Sequence, residues 1–461
     1  MHRSSFGLIA LALLWAAPAH ADISRLQAIG DVGLLTEDSS NVFTNPALMG
    51  TYSNRVWFSL GVDVSAGPTV SLSPLGGGAI RLGDVVTLGV VLNRAPTLYD
   101  FDAAIWPVML AYLPGGPGGP LVGPAGPSEQ SAPLRFPVDI FAAIGDRYSP
   151  LRLGLHVYYG VGANRDWLVE DRDGDELEES SVVRRQTHLV NATIGVSGGS
   201  VADKVRPEGW IRVGYMAAWH DQVAEAETSP GTFEPSIDRI LAMDRDLRVG
   251  GGFRIHLGDA EQGVLVTPGF RYDGAGGVWR FDDNRINPDS PAELAERVAE
   301  AHDAEAGVGV AWRGDGLLVQ GTATLGVQSI AVVDSLFDND DNVEEFGDQL
   351  VSITAPELSV GAEYRVLPAL LVRAGVRSTV LGGRTIQTLR EGSGTGDSIT
   401  DDAVDQRIAT LDPQVTLAAT GGLGLQVKRF HADVLLGGLF FPTGDGTTNF
   451  FSRIDLGFSF D

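Results

Sequence analysis

From about residue 54 to the carboxyl terminus the chain alternates apolar and small or polar side chains with a period of two, in stretches of roughly 9 to 14 residues. The last stretch is the clearest: Phe450, Ile454, Leu456, Phe458 and Phe460 share one parity, and Arg453, Asp455, Gly457 and Ser459 share the other. The same alternation runs through Val56, Phe58, Leu60, Val62 and Val64 against Ser59, Gly61 and Asp63. It recurs at Leu151 to Tyr159, Ile211 to Trp219, Val249 to Leu257 and Leu370 to Val376. A strand of about 10 residues, tilted near 45°, crosses the hydrocarbon layer, and only a closed barrel leaves no unpaired backbone edge there. The pattern therefore predicts an all-β protein, a transmembrane antiparallel β-barrel of about 14–16 strands. A soluble sandwich fits less well, because its strands are usually nearer 5 to 6 residues.

Connections support the barrel. Tight turns are expected at Gly145-Asp146, Gly258-Asp259, Arg313-Gly314-Asp315, Leu367-Pro368 and Lys428-Arg429. Long connections are expected near 94–136, 163–181, 221–243, 276–303, 329–349 and 380–410. The strand count is 16, or 14 if Thr69 to Val91 forms one strand rather than two. Within the fourth long connection, Ser290-Pro291-Ala292-Glu293 has the pattern of a helix start, which predicts a short helix from about Pro291 to Ala301.

The first residues read as an export signal: Arg3, an apolar run from Phe6 to Ala17, and the small-x-small site Ala19-His20-Ala21. The domain reading is a signal peptide at 1–21, a plug segment at 22–53 and a barrel at 54–461. Beyond the signal, no apolar run reaches the roughly 18 to 20 residues of a membrane helix.

Composition narrows function. The 461 residues carry 33 Lys and Arg against 59 Asp and Glu, a formal charge of −26, which excludes a broad phosphate-binding surface and hence nucleic acid as a partner. There is no cysteine, and 59 glycines without a G-X-Y period favour turn-rich β structure over collagen. Signal removal leaves histidines at 156, 188, 220, 256, 302 and 431, with no HExxH, no GxSxG and no thiol ligand. No catalytic set, cofactor or metal site is expected, and the reading is a non-enzyme.

Asp38-Ser39-Ser40-Asn41-Val42-Phe43-Thr44-Asn45-Pro46-Ala47, preceded by Gly30-Asp31-Val32-Gly33, resembles the start of the FadL-type outer-membrane proteins, relatives of the TodX-type channels. The resemblance implies a barrel admitting long-chain fatty acids or other hydrophobic compounds, with an NPA tripeptide, here Asn45, Pro46 and Ala47, on a short amino-terminal plug that gates the lumen. It also implies recognition of the closing strand by the barrel-insertion machinery through its aromatic end, here Phe460, with Asp461 after it. PorV-like secretion-accessory proteins belong to the same relatives. They supply the alternative: a barrel that acts by protein–protein contact.

If the greasy parity faces outer-membrane lipid, the other faces the lumen. The inward basic set is Arg152, Arg212, Arg248, Arg254, Arg271, Arg373, Arg377 and Arg453 with His156 and His256, and the inward acids are Asp63, Asp139, Glu363, Asp433 and Asp455. Arg254, Arg373 and Arg377 are candidates for holding the head of an anionic amphiphile, since a guanidinium can grip a carboxylate through two parallel hydrogen bonds. The other reading is that these arginines pair with the inward acids and hold the plug in register. Ala104 to Leu113 in the first long loop is apolar, with Trp106, Met109, Leu110 and Tyr112 as a candidate capture site for hydrophobic small molecules, or else a segment folded back onto the lumen. Acidic runs at Asp171 to Glu179 and Asp338 to Glu345 concentrate carboxylates as calcium loops do, but the first departs from the EF-hand pattern, and both read as solvated loops, repelling one another or bridged loosely by divalent ions.

Overall fold

A computed structural model describes residues 39–64, 70–93, 135–170, 179–200, 202–229, 232–259, 262–284, 293–337, 343–391, 404–440 and 448–460. Two 3-10 helices, η1 (Ser39–Phe43) and η2 (Pro46–Tyr52), precede sixteen strands. The first four are short: β1 (Arg55–Val64), β2 (Val70–Leu82), β3 (Val86–Leu92) and β4 (Arg135–Ile144). Ten long ones follow: β5 (Leu151–Glu170), β6 (Glu179–Gly198), β7 (Val205–Ser229), β8 (Thr232–Gly258), β9 (Gly263–Asn284), β10 (Glu293–Gly314), β11 (Leu317–Phe337), β12 (Val343–Leu367), β13 (Leu370–Glu391) and β14 (Val404–Val427). Two short strands, β15 (Phe430–Phe440) and β16 (Thr448–Ser459), complete the wall.

Each strand pairs antiparallel with its sequence neighbours, and β1 pairs with β16, from Arg55 opposite Ser459 to Val64 opposite Phe450. The sheet is thus a closed barrel. The Phe460 amide donates to the Asn54 carbonyl at 3.0 Å, sealing the seam where the two ends of the wall meet. Closure leaves no strand edge, the condition for placing a sheet in hydrocarbon. Sixteen is the even count that brings both ends of the wall to the same side as the tight turns, the periplasmic end of such barrels.

The tight turns lie where the sequence places them. Residues 315–316, 368–369 and 428–429 are two-residue connections between paired hairpin arms. Asp315 and Gly316 both have positive φ, 46° and 77°, the handedness that matches the twist of the flanking strands. The region from Val70 to Leu92 holds two strands, β2 and β3, so the expected count of 16 stands and the alternative of 14 falls. Two expectations need correction. The central strands run 20–27 residues instead of 9–14, so residues expected in loops near 221–243 belong mostly to the β7–β8 hairpin. The segment expected as a helix from Pro291 to Ala301 is strand from Glu293 onward, because pairing with β9 and β11 on both sides supplies every backbone partner that a short isolated helix would have to find within itself.

The outward parity is apolar and exposed: Leu153 and Leu155 on β5, Ile194 on β6, Ile211 and Val213 on β7, Val308 and Val310 on β10, Leu358 and Val360 on β12. Aromatics bound this band, with Tyr159, Tyr215 and Tyr272 toward the outer side and Tyr148, Trp312 and Tyr364 toward the periplasmic side. On β10 the band extends from Trp312 to His302, whose ring stacks on Tyr272 at 6.2 Å and accepts or donates a hydrogen bond at 2.8 Å. About 8–10 residues per crossing, at about 3.3 Å each and a tilt near 40°, give a band about 20–25 Å tall, the thickness of an outer-membrane hydrocarbon layer. Among the described residues no helix is long and apolar enough to cross a membrane. The arms of β5 to β14 continue well past the band.

Candidate functional site: the lumen and its amino-terminal segment

Both 3-10 helices lie inside the barrel. Asn45 starts η2: its Oδ1 accepts from the Ala47 amide at 3.2 Å, and Pro46 follows at the first helical position, where its fixed φ is already suitable and no amide is needed. The NPA tripeptide is therefore a helix start, and its cap does a second job. Asn45 Nδ2 donates to the Val196 carbonyl at 3.1 Å and to Glu208 Oε2 at 3.4 Å, tying the segment to β6 and β7. Asn45 and Ala47 are wholly buried.

The wall is shaped for this contact. Gly154 on β5 and Gly195 on β6 lie on the inward parity, and a Cβ at either would come within 3.0 Å of the Pro46 backbone or of the Asn45 side chain. Two glycines in adjacent strands thus make the recess in which the tripeptide sits.

One side of the segment is apolar. Val42, Phe43, Leu48 and Met49 pack on Leu75, Ala79, Val91, Phe141 and Ala143, the inner face of β2 to β4, with Tyr52 and Trp57 at its margin. Phe43 meets Phe141 edge-on at 5.6 Å, and Phe141 stacks on His156 at 4.4 Å. His156 is in turn held by Asp139, 2.7 Å from its Nε2.

The other side is polar. Arg152 donates to Thr51 Oγ1 at 2.8 Å and to Ser197 Oγ at 2.6 Å, and Arg212 donates to the Phe43 carbonyl at 3.4 Å. Glu208 sits at the centre, accepting from Arg254 Nε at 2.8 Å, with His256 Nε2 at 3.2 Å from its other oxygen. His256 Nδ1 reaches Thr267 Oγ1 at 3.1 Å. All three of Glu208, Arg254 and His256 are buried, so each charge depends on the others for the solvation it has lost.

Across the lumen, the wall from β12 to β15 carries a second ion-pair group. Arg373 Nε donates to Glu363 at 2.6 Å and its Nη1 to Asp433, which also bonds His431. Arg377 pairs with Glu357 at 2.8 Å, and beyond that wall Arg271 on β9 pairs with Glu305 on β10. A cavity of about 510 Å³ opens beside Arg373 at the periplasmic end.

The described members of the inward set are thus confirmed as inward, and Arg254, Arg373 and Arg377 each have a carboxylate partner. Asp63 is in β1, but its side chain lies outside the described residues, as do Trp106, Met109, Leu110 and Tyr112 and most of both acidic runs. Sequence reading missed Glu208, the centre of the first network. Extending the parity of Arg212 back through Trp210 would have found it. It also missed Glu305 and Glu357, which pair with Arg271 and Arg377 from the neighbouring strand.

A closed wall, an apolar outer band of membrane thickness and a polar, ion-paired interior decide the setting. The chain is an outer-membrane β-barrel. No family model and no curated protein matches it. Among solved structures it is similar to a Pseudomonas aeruginosa FadL homologue, at 14% identity over 96% of this chain and 99% of that one, with a TM-score of 0.41. It is similar also to the Ralstonia pickettii toluene transporter TbuX, at 13% identity over 97% and 100% with a TM-score of 0.39. The translocator domain of the autotransporter NalP from Neisseria meningitidis gives 12% identity over 68% and 89% with a TM-score of 0.27. These likenesses are of fold alone.

Proposed function

We propose that this barrel is a passive outer-membrane channel for hydrophobic or amphipathic small molecules such as long-chain fatty acids, gated by the segment around Asn45, Pro46 and Ala47. The observation that carries the reading is the two-sided lumen. Its inner face on β2 to β4 is apolar and is covered by η1 and η2, while the facing wall carries the Arg373 and Arg377 pairs. A general porin lumen is polar throughout, because it holds water. Here, movement of the segment uncovers a hydrophobic surface opposite a charged one, which suits a solute with a tail and a head.

Passage needs no energy source in this scheme. The segment is held mainly by Asn45, Arg152 and Arg212, hydrogen bonds that a solute entering the apolar interface competes with by displacing Phe43, Leu48 and Met49 from Leu75 and Phe141. The candidate capture site at Trp106, Met109, Leu110 and Tyr112 supplies ligand from outside in this proposal. Uptake of a labelled fatty acid by cells lacking the gene, with and without the gene restored, tests it. Restored uptake on complementation is expected; unchanged uptake sinks the reading.

A second reading, an interaction protein that assists secretion at the cell surface, is favoured by the height of the β5 to β14 arms, which offer a large protein-binding rim beyond the membrane. It predicts that deletion impairs surface export while fatty-acid uptake is untouched.

A further inference from the structure

The cavity of about 510 Å³ at the periplasmic end takes its lining from the β8–β9 and β10–β11 turns and from β1 and β10 to β15. Four arginines face it, Arg55, Arg313, Arg365 and Arg373, against two carboxylates, Asp315 and Glu363. Glu363 is already engaged by Arg373. The balance is cationic in a chain whose formal charge is −26.

Donor capacity remains in it. Arg55 and Arg365 have no carboxylate partner among the described residues. The Arg55 guanidinium lies over the Tyr52 ring, 5.1 Å from its centre, so the cavity adjoins the end of η2. Arg373 is buried and spends Nε and Nη1 on its two acids, and its Nη2 has no hydrogen-bond partner. A buried guanidinium nitrogen without an acceptor is costly, and an arriving anion removes that cost.

We propose that this cavity is an exit site for the carboxylate head of the transported amphiphile, with Arg55 and Arg365 as its mouth and Arg373 Nη2 as its inner donor. The proposal deepens the channel reading and rests on it. A head group leaving the interface beneath η2 meets Arg55 first, because Arg55 packs on the last residue of that helix. The site favours a charged head over a neutral one of the same tail length, and it gives the channel a preference for fatty acids over hydrocarbons or alcohols.

The test uses the full-length barrel in non-ionic detergent, with octanoate and octan-1-ol as probes and binding measured by calorimetry. The double variant R55Q/R365Q is expected to weaken octanoate binding about tenfold, as loss of charge-assisted hydrogen bonds does, and to leave octan-1-ol unchanged. R55K/R365K restores part of the loss. Heat-dependent mobility on gels verifies that each variant is a folded barrel, and R365Q alone, at an exposed position, repeats the measurement if the double variant is not. Unchanged octanoate affinity, or an equal loss for both probes, overturns the site. Octanoate uptake by complemented deletion cells separates the two claims: uptake restored by the wild-type gene, with affinity unaltered in the variant, overturns the site alone, whereas no uptake with the wild-type gene overturns the channel reading and the site with it.

Discussion

Asn45 Nδ2 lies 3.4 Å from Glu208 Oε2, a contact between residues 163 positions apart that joins the amino-terminal segment to a buried ion-pair network of the barrel wall. The same side chain caps η2 through its Oδ1. One residue therefore both shapes the segment and moors it.

Replacing Asn45 by Ala removes both roles. The cap alone is worth about 1 kcal/mol. The barrel is expected to fold as before while the segment loosens, and planar-bilayer recordings should show larger or more frequent openings than wild type. A trace indistinguishable from wild type would mean that Asn45 does not hold the segment.

Gly154 and Gly195 predict the same phenotype from the opposite side of the contact. G195V puts a branched side chain where the Asn45 amide lies, and G154V does so against the Pro46 backbone. Both should open the channel. G382A, where an added Cβ meets nothing within 4 Å, is the control and should behave as wild type.

Glu208 carries a stability prediction. E208Q leaves Arg254 buried beside a neutral amide, a loss of about 3 kcal/mol. E208M/R254M removes both charges together and should recover part of that loss. Urea unfolding of the barrel in lipid vesicles, followed by tryptophan fluorescence, measures each value. Equal stability of E208Q and wild type would contradict the pairing.

The lipid-facing parity can be tested at Ile194, 65% exposed on the outer face of β6 within the apolar band. I194R should destabilise the inserted barrel by about 2–4 kcal/mol. A neutral effect would mean that this face does not meet hydrocarbon.

Asp146, in the turn between β4 and β5, gives a pH dependence outside the membrane. Partial burial pushes its carboxyl up. Hydrogen bonds from Arg81, Ser149 and the Tyr148 amide, with the Arg81 charge, outweigh that and hold it below the ordinary value of 3.8. A lowered carboxylate contributes stability that is fully present above 3.8 and is lost as pH falls through the lower folded-state value. D146N should thus be less stable than wild type at pH 7, by at most about 1 kcal/mol for so exposed a pair, with the gap closing below pH 3.8. A gap of constant size across that range would assign the effect to turn geometry instead of charge.

Alternation along the chain determined the barrel, its lipid-facing side chains and the inward direction of residues such as Arg254 and Arg373, because a period of two is a property of each strand and needs no knowledge of its neighbours. Tertiary structure decided strand length, since pairing across two adjacent hairpins extended β10 through residues that carry a helix start signal in isolation. It decided, too, that Arg254 meets Glu208, that Arg373 meets Glu363 and Asp433, and that glycines at 154 and 195 make room for Pro46 and Asn45. Those partners come from different strands, and only the register of a closed sheet sets which inward side chains stand at the same height across a lumen.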